Sequence, residues 1–166
     1  MRFHRILATA GTVLALASVS ACGSLPSAGS PQEAADFLTS TLACESIDLA
    51  TPREVQQVQA MGLTGINGGG ECSDPVGSDG DVDFLTIEDM EAFQTSIKQG
   101  KGEEDDLMIG DDFAVDPGSD DQRSRLLKAG LLFLNCSPGF QAPPGKTADE
   151  GEVDGCIVTD YLGDRD

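Results

Sequence analysis

The placement of cysteines constrains the fold of this chain more than any other feature. The 166-residue sequence contains five of them: Cys22, Cys44, Cys72, Cys136 and Cys156. Cys22 lies directly after an N-terminal apolar segment, which leaves four cysteines for the folded part. An even number of cysteines in an exported domain is typical of a disulfide framework. The sequence therefore predicts two disulfides in a protein that functions outside the cytosol.

Four cysteines allow three disulfide connectivities. We favour the sequential pairing, Cys44 with Cys72 and Cys136 with Cys156, because it closes the shortest loops. Each bridge should stabilise the fold by about 3–4 kcal/mol through loop entropy. The chain has no Cys-x-x-Cys motif, which argues against a thioredoxin-like redox site. The cysteines are also too scattered for a Cys-only zinc site.

The N-terminus has the pattern of a targeting signal. Arg2 and Arg5 precede an apolar run over residues 6–19, which is too short to span a bilayer but suits a signal peptide. The following Val19-Ser20-Ala21-Cys22 resembles the lipobox of bacterial lipoproteins. The resemblance implies that the Cys22 thiol takes a diacylglyceryl group, that cleavage occurs before Cys22, and that the new amine is acylated as well. Two or three acyl chains give stable membrane attachment.

This resemblance divides the chain into three parts. Residues 1–21 are a lipoprotein signal peptide, residues 22–30 a lipid-anchored flexible tether rich in Ser and Gly, and residues 31–166 a single extracytoplasmic domain. Removal of the signal removes two basic residues, so the net charge falls from −19 to −21. So acidic a chain excludes nucleic acid as a partner. No run of about 20 apolar residues exists, which excludes a polytopic membrane protein.

Helix signals recur along the mature chain. Ser30-Pro31 and Thr51-Pro52 are both helix starts, each followed by a Glu at the third helical position. Apolar spacing and caps predict four helices: from Pro31 to about Cys44, from Pro52 to a stop at Gly62, over Glu88–Ile97, and from Ser119 through Leu126, Leu127, Leu131 and Leu134 towards Cys136.

Strand signals lie between these helices. They predict a strand over Val82–Ile87, a hairpin over Leu107–Val115, and an edge strand at Cys156–Val158. Gly68–Gly70 is predicted to be a mobile turn, and residues 138–154 a long loop. The short connections favour an α+β two-layer domain, in which an antiparallel sheet carries the helices on one face. Two disulfides cross-link this fold.

A second resemblance concerns residues 40–130. Cys44, the Gly70-Glu71-Cys72 segment and the turn at Gly110–Val115 follow an order similar to that of small exported lipoproteins common in actinobacteria. Those proteins carry a Cys…Gly-x-Cys pair and a Gly-Asp-Gly-Trp-like turn before a strand. Here Asp112 stands in place of the Gly and Phe113 in place of the Trp. The resemblance implies the fold and the first disulfide, and it implies no chemistry.

The mature chain has no histidine, because His4 leaves with the signal peptide. This excludes Ser-His-Asp and Cys-His catalysis and histidine-ligated metals. A glycosidase could use paired carboxylates, but few aromatic residues are available to line a sugar cleft. Gly68–Gly70 is not a phosphate loop, since no Lys follows at the required spacing. The sequence therefore predicts no catalytic residue, no metal site and no cofactor.

The carboxylates leave one alternative open. Asp79, Asp81 and Asp83 have the spacing of a calcium loop, but Phe84 and Met90 stand where that loop needs Gly and Glu, so a hydrated acidic turn is favoured. Five further residues could converge near the hairpin as a weak divalent-cation site: Asp111, Asp112, Asp116, Asp120 and Asp121.

Together these observations favour a non-catalytic binding or scaffolding protein. We expect it to be held at the extracytoplasmic face of the cell membrane through the lipid on Cys22. Its partner would be an envelope protein or ligand that the sequence does not identify. Two alternatives are an envelope enzyme that uses carboxylates without histidine, and a weak divalent-cation binder.

Overall fold

A computed structural model describes residues 24–73, 80–101 and 107–162. The lipobox lies outside these residues. The described helices are α1 (Pro31–Leu42), α2 (Pro52–Ala60), α3 (Met90–Lys98) and α4 (Asp120–Lys128). The strands are β1 (Ser46–Leu49), β2 (Ile66–Ser73), β3 (Val82–Ile87), β4 (Met108–Ile109), β5 (Phe113–Asp116), β6 (Leu132–Asn135), β7 (Ala148–Glu150) and β8 (Ile157–Thr159). Across these ranges no helix is long and apolar enough to cross a membrane.

The strands form one sheet in the order β1-β2-β3-β5-β4-β6-β8-β7. Every neighbouring pair is antiparallel. The predicted α+β class and antiparallel sheet are confirmed. So is the hairpin, in which β4 and β5 flank the turn and the Gly110 amide donates to the Phe113 carbonyl over 2.8 Å.

The helix starts follow their capping residues. The Ser30 side chain accepts from the Glu33 amide, and Thr51 forms a full capping box with Glu54. α4 ends earlier than predicted because Gly130 adopts a positive φ of 98°. The residues that follow, Leu132–Asn135, form a central strand between β4 and β8 and not the end of a helix.

Gly68–Gly70 forms the middle of β2, where we predicted a mobile turn. A Cβ on Gly68 would collide with the ring of Pro31 at the start of α1, and a Cβ on Gly70 would lie 2.9 Å from the Phe84 ring. The glycines therefore allow close packing on the sheet. The predicted edge strand near Cys156 is β8, and it is not at the edge, because β7 pairs with it on the outer side.

The helices cover both faces of the sheet, so the expected placement on one face is corrected. In one cluster Leu38 of α1 and Leu126 of α4 pack with Phe84 and Phe113. In the other, Phe93 of α3 packs with strand residues that include Ala114. Adjacent strand residues point to opposite faces, so the two clusters lie on opposite sides of the sheet. The strands are apolar on both faces, and a single helix layer would leave one of them uncovered.

Both predicted disulfides are confirmed. Cys44, just after α1, is bonded to Cys72 in β2. Cys136, after β6, is bonded to Cys156, before β8. Both bridges and both hydrophobic clusters lie within residues 24–162. This part of the chain therefore contains both disulfides and both clusters that the described residues form, and we expect it to fold without residues 1–23.

Residues 25–30 lie against the domain, whereas we expected them to belong to a flexible tether. The Asp112 carboxylate accepts from the Ser27 hydroxyl at 2.6 Å and from the amides of Ala28 at 2.6 Å and Gly29 at 2.9 Å. The Asp111 amide donates to the Pro26 carbonyl. Leu25 packs against the cluster beneath α3. Specific hydrogen bonds to the β4–β5 turn thus hold a segment whose composition is typical of a linker.

We expect Asp112→Ala to release this segment and to lower the free energy of unfolding by about 1–3 kcal/mol, since three donors lose their acceptor. Burial opposes ionisation of Asp112, but the bonds from Ser27, Ala28 and Gly29 outweigh it and lower the pKa of the carboxyl. The stabilisation is therefore present above the unfolded-state pKa and is lost as pH falls through the folded-state value. Urea denaturation at several pH values measures this. Asp111→Ala is the matched control, because that residue contributes its backbone amide; an equal loss in both variants would contradict the assignment.

Candidate functional site

A groove of about 650 Å³ lies on the sheet face that carries α2 and α3. Leu85 of β3 and Ala114 of β5 lie on its sheet side. Its apolar lining also includes Val58 and Met61 at α2, Phe93 and Ile97 of α3, and Leu49, Leu63 and Leu107. We call it the α2–α3 groove. Its volume is in the range of pockets that hold small ligands.

The groove exists because α2 borders this face of the sheet and does not cover it. None of the nine residues of α2 is buried. Phe93 and Ile97 of α3, in contrast, are both buried in the cluster on this face. The sheet surface between the two helices consequently stays open.

One strongly exposed apolar side chain lies at this groove: Met61 is 71% exposed and lines it. Leu49, 38% exposed, also borders it, but Leu49 follows Asp48 on β1, so its side chain points to the opposite face of the sheet. A single exposed apolar residue needs no explanation, but one at the mouth of an apolar concavity is typical of a contact surface. The groove therefore presents apolar surface to a partner or ligand.

Four carboxylates cross the same face in register. Asp48 of β1 lies opposite Glu71 of β2, Glu71 opposite Asp83 of β3, and Asp83 opposite Asp116 of β5. All four line the groove. Neighbouring strands are about 4.8 Å apart, so this carboxylate row extends about 15 Å across four strands. Like charges placed directly opposite each other on a sheet are unfavourable.

Negative charges around Glu71 raise the pKa of its carboxyl group. The charge of nearby Asp81 is the largest cause that raises the pKa of Glu71, and desolvation and the charges of Asp83 and Asp48 add to it. Glu54 of α2 also lines the groove, and among the described residues that line it there is no Lys or Arg. The groove therefore combines an apolar surface with a strongly negative side.

We expect Glu71→Gln to raise the melting temperature at pH 7. Folding raises the pKa of Glu71, so the ionised side chain disfavours the folded state. This cost is fully present above the folded-state pKa and disappears as pH falls below the unfolded value of about 4.3. The variant should therefore have a higher melting temperature than the original protein at pH 7 and the same melting temperature near pH 3. The exposed Glu150→Gln on β7 is the control, and a lower melting temperature for Glu71→Gln at pH 7 would contradict the prediction.

The carboxylates that we considered for a cation site near the hairpin lie apart. Asp112 holds residues 27–29, while Asp116 belongs to the carboxylate row. On α4, Asp120 pairs with Arg123 at 2.7 Å and Asp121 with Arg125 at 3.7 Å. Asp79 lies outside the described residues. Within those residues, no group of three or more His, Cys, Asp or Glu side chains is arranged to hold a metal ion.

The carboxylate row was not predicted from the sequence. Asp48 lies on β1, a strand with no clear sequence signal. Asp83 did carry a signal: on an alternating strand it shares its face with Leu85 and Ile87, two apolar residues. A charge on an otherwise apolar face marks a place where that face is open. The four partners come from four strands, so only the strand register brings them together.

No family model matches this chain, and no curated protein or solved structure matches it either.

Proposed function

We propose that this chain is a lipid-anchored, extracytoplasmic and non-catalytic binding protein, with the α2–α3 groove as its ligand site. The observation that carries the proposal is the exposure of Met61 at an apolar groove of about 650 Å³. The lipobox ending at Cys22 supports the anchor. The two disulfides support an oxidising compartment outside the cytosol.

The docked N-terminal segment supports an accessible groove. Residues 26–29 are hydrogen-bonded to Asp111 and Asp112, at the turn that precedes β5. Asp116 of the carboxylate row lies at the other end of that strand, about 10 Å further along. With Cys22 acylated, only four residues, at most about 14 Å of chain, join Pro26 to the anchor. We therefore expect this turn to lie on the membrane side of the domain and the carboxylate row, at the other end of β5, to face away from the membrane.

One feature favours the enzyme alternative, namely the raised pKa of Glu71 beside other carboxylates. The Glu71 side chain is exposed, however, and the charge of Asp81 contributes more to the shift than desolvation does. A general acid at neutral pH needs strong burial. We therefore place binding first. Turnover of an ester, glycan, peptide or phosphate substrate that Glu71→Gln abolishes without unfolding the protein would replace the binding proposal with an enzyme.

A neutral apolar fluorescent dye, N-phenyl-1-naphthylamine, tests the groove directly. The protein from Ser24 onward is used once its cooperative melting has been verified, because an acyl anchor would itself bind the dye. We expect saturable binding with increased fluorescence. Met61→Lys should weaken it severalfold, since it removes apolar contact and adds a hydrated charge.

Ala148→Lys on β7 is the matched control, because it adds the same charge at an exposed position on the opposite edge of the sheet. Its dye affinity should equal that of the original protein. No dye binding, or equal binding by the Met61 variant and the original protein, would overturn the groove as the ligand site.

A further inference from the structure

We propose that the ligand of the α2–α3 groove is a linear aliphatic polyamine that lies along the carboxylate row. This inference rests on the proposed function, which places the ligand site in the groove. It adds the chemical class: a chain of methylene groups interrupted by ammonium groups.

The spacing of the row matches this class. Asp48, Glu71 and Asp83 follow one another on adjacent strands, about 4.8 Å apart. Three or four methylene groups separate neighbouring ammonium groups by about 5–6 Å at ordinary bond lengths. An extended linear polyamine can therefore place successive ammonium groups opposite successive strands. An extended peptide repeats its side chains on one face about every 6.8 Å, which fits the row less well.

The groove also suits the methylene groups. Leu85 lies two residues beyond Asp83 on β3, and Ala114 two residues before Asp116 on β5, so both lie on the same face as the row. Both line the groove beside the carboxylates. A polyamine along the row would thus have carboxylates on one side and an apolar strip on the other. A bare divalent cation would gain nothing from that strip.

Equilibrium dialysis of spermidine against the full chain in a nonionic detergent tests the proposal. We expect saturable binding to one site that weakens as salt is added. Asp48→Asn and Glu71→Gln should each reduce affinity about fivefold or more, because each removes one charged partner of an ammonium group. Asp149→Asn on β7 removes the same charge at the far edge of the sheet and should leave affinity unchanged. Butylamine, with one ammonium group, should bind far more weakly than spermidine.

Three results would overturn the inference: no spermidine binding, an equal loss with Asp149→Asn and Glu71→Gln, or complete competition by Mg²⁺ at matched ionic strength. An equal loss with Asp149→Asn and Glu71→Gln would show that spermidine binding depends on the net charge of the protein and not on the carboxylate row. The dye experiment separates the two proposals. Dye binding without spermidine binding would remove the polyamine and leave the groove as a ligand site, whereas loss of both would remove the proposed function as well.

Discussion

Replacement of both Cys44 and Cys72 by alanine is expected to lower the free energy of unfolding by about 2–5 kcal/mol. The bridge closes a separation of 28 residues and joins the end of α1 to β2, so its loss frees the unfolded chain. Cys72 is also fully buried in the cluster beneath α1, and its removal costs packing there. Urea denaturation without reductant measures the change.

The Cys136–Cys156 bridge provides the comparison, with a separation of 20 residues and a similar expected loss. The original protein under reducing conditions should lose about as much as the two pairs combined. Unchanged stability in the Cys44 and Cys72 double variant would show that α1 and β2 are held by packing alone. Whether that pair is oxidised in the isolated protein is checked by peptide mapping without reductant.

Cys22→Ser is expected to abolish lipidation completely. The sulfur of Cys22 is the proposed acceptor of the diacylglyceryl group, and the described residues offer no spanning helix that could replace the anchor. The variant should remain as an uncleaved precursor or be released without lipid. Membrane fractionation with intact-mass measurement distinguishes these outcomes from the lipidated mature protein.

Ser24→Ala, two residues further along, is the matched control and should keep both the lipid and the membrane attachment. A mature-sized, membrane-bound Cys22→Ser protein would overturn the lipobox interpretation. Without the anchor at Cys22, there would also be no reason to expect the carboxylate row to face away from the membrane.

Short-range sequence signals predicted the features that depend on interactions between residues close together in the chain. The Ser30 and Thr51 caps begin α1 and α2 where their side chains can accept an amide hydrogen bond, and the alternation over Val82–Ile87 forms β3 with the predicted bounds. The disulfide pairing also followed from the sequence, because short loops close at the lowest entropic cost. These choices depend on neighbours along the chain.

Tertiary structure decided the rest. Gly68–Gly70 has the composition of a turn, yet it is a strand because α1 and Phe84 need the space that a side chain would occupy. Residues 26–29 have the composition of a linker, yet Asp112, more than 80 residues away, binds them. In each case the partner is distant in the sequence, so local propensity could not reveal it.

The candidate site also combines a property that the sequence determines with an arrangement that only the tertiary structure determines. Composition alone determined that the protein is acidic, but not where its charges meet. The register of β1, β2, β3 and β5 aligns Asp48, Glu71, Asp83 and Asp116, and the placement of α2 beside the sheet leaves them open. A shift of one residue in any of these pairings would move a carboxylate to the other face, because side chains alternate along a strand. The sequence determined the net charge and predicts an export signal, and only the packed sheet brings dispersed carboxylates into one row beside an apolar groove.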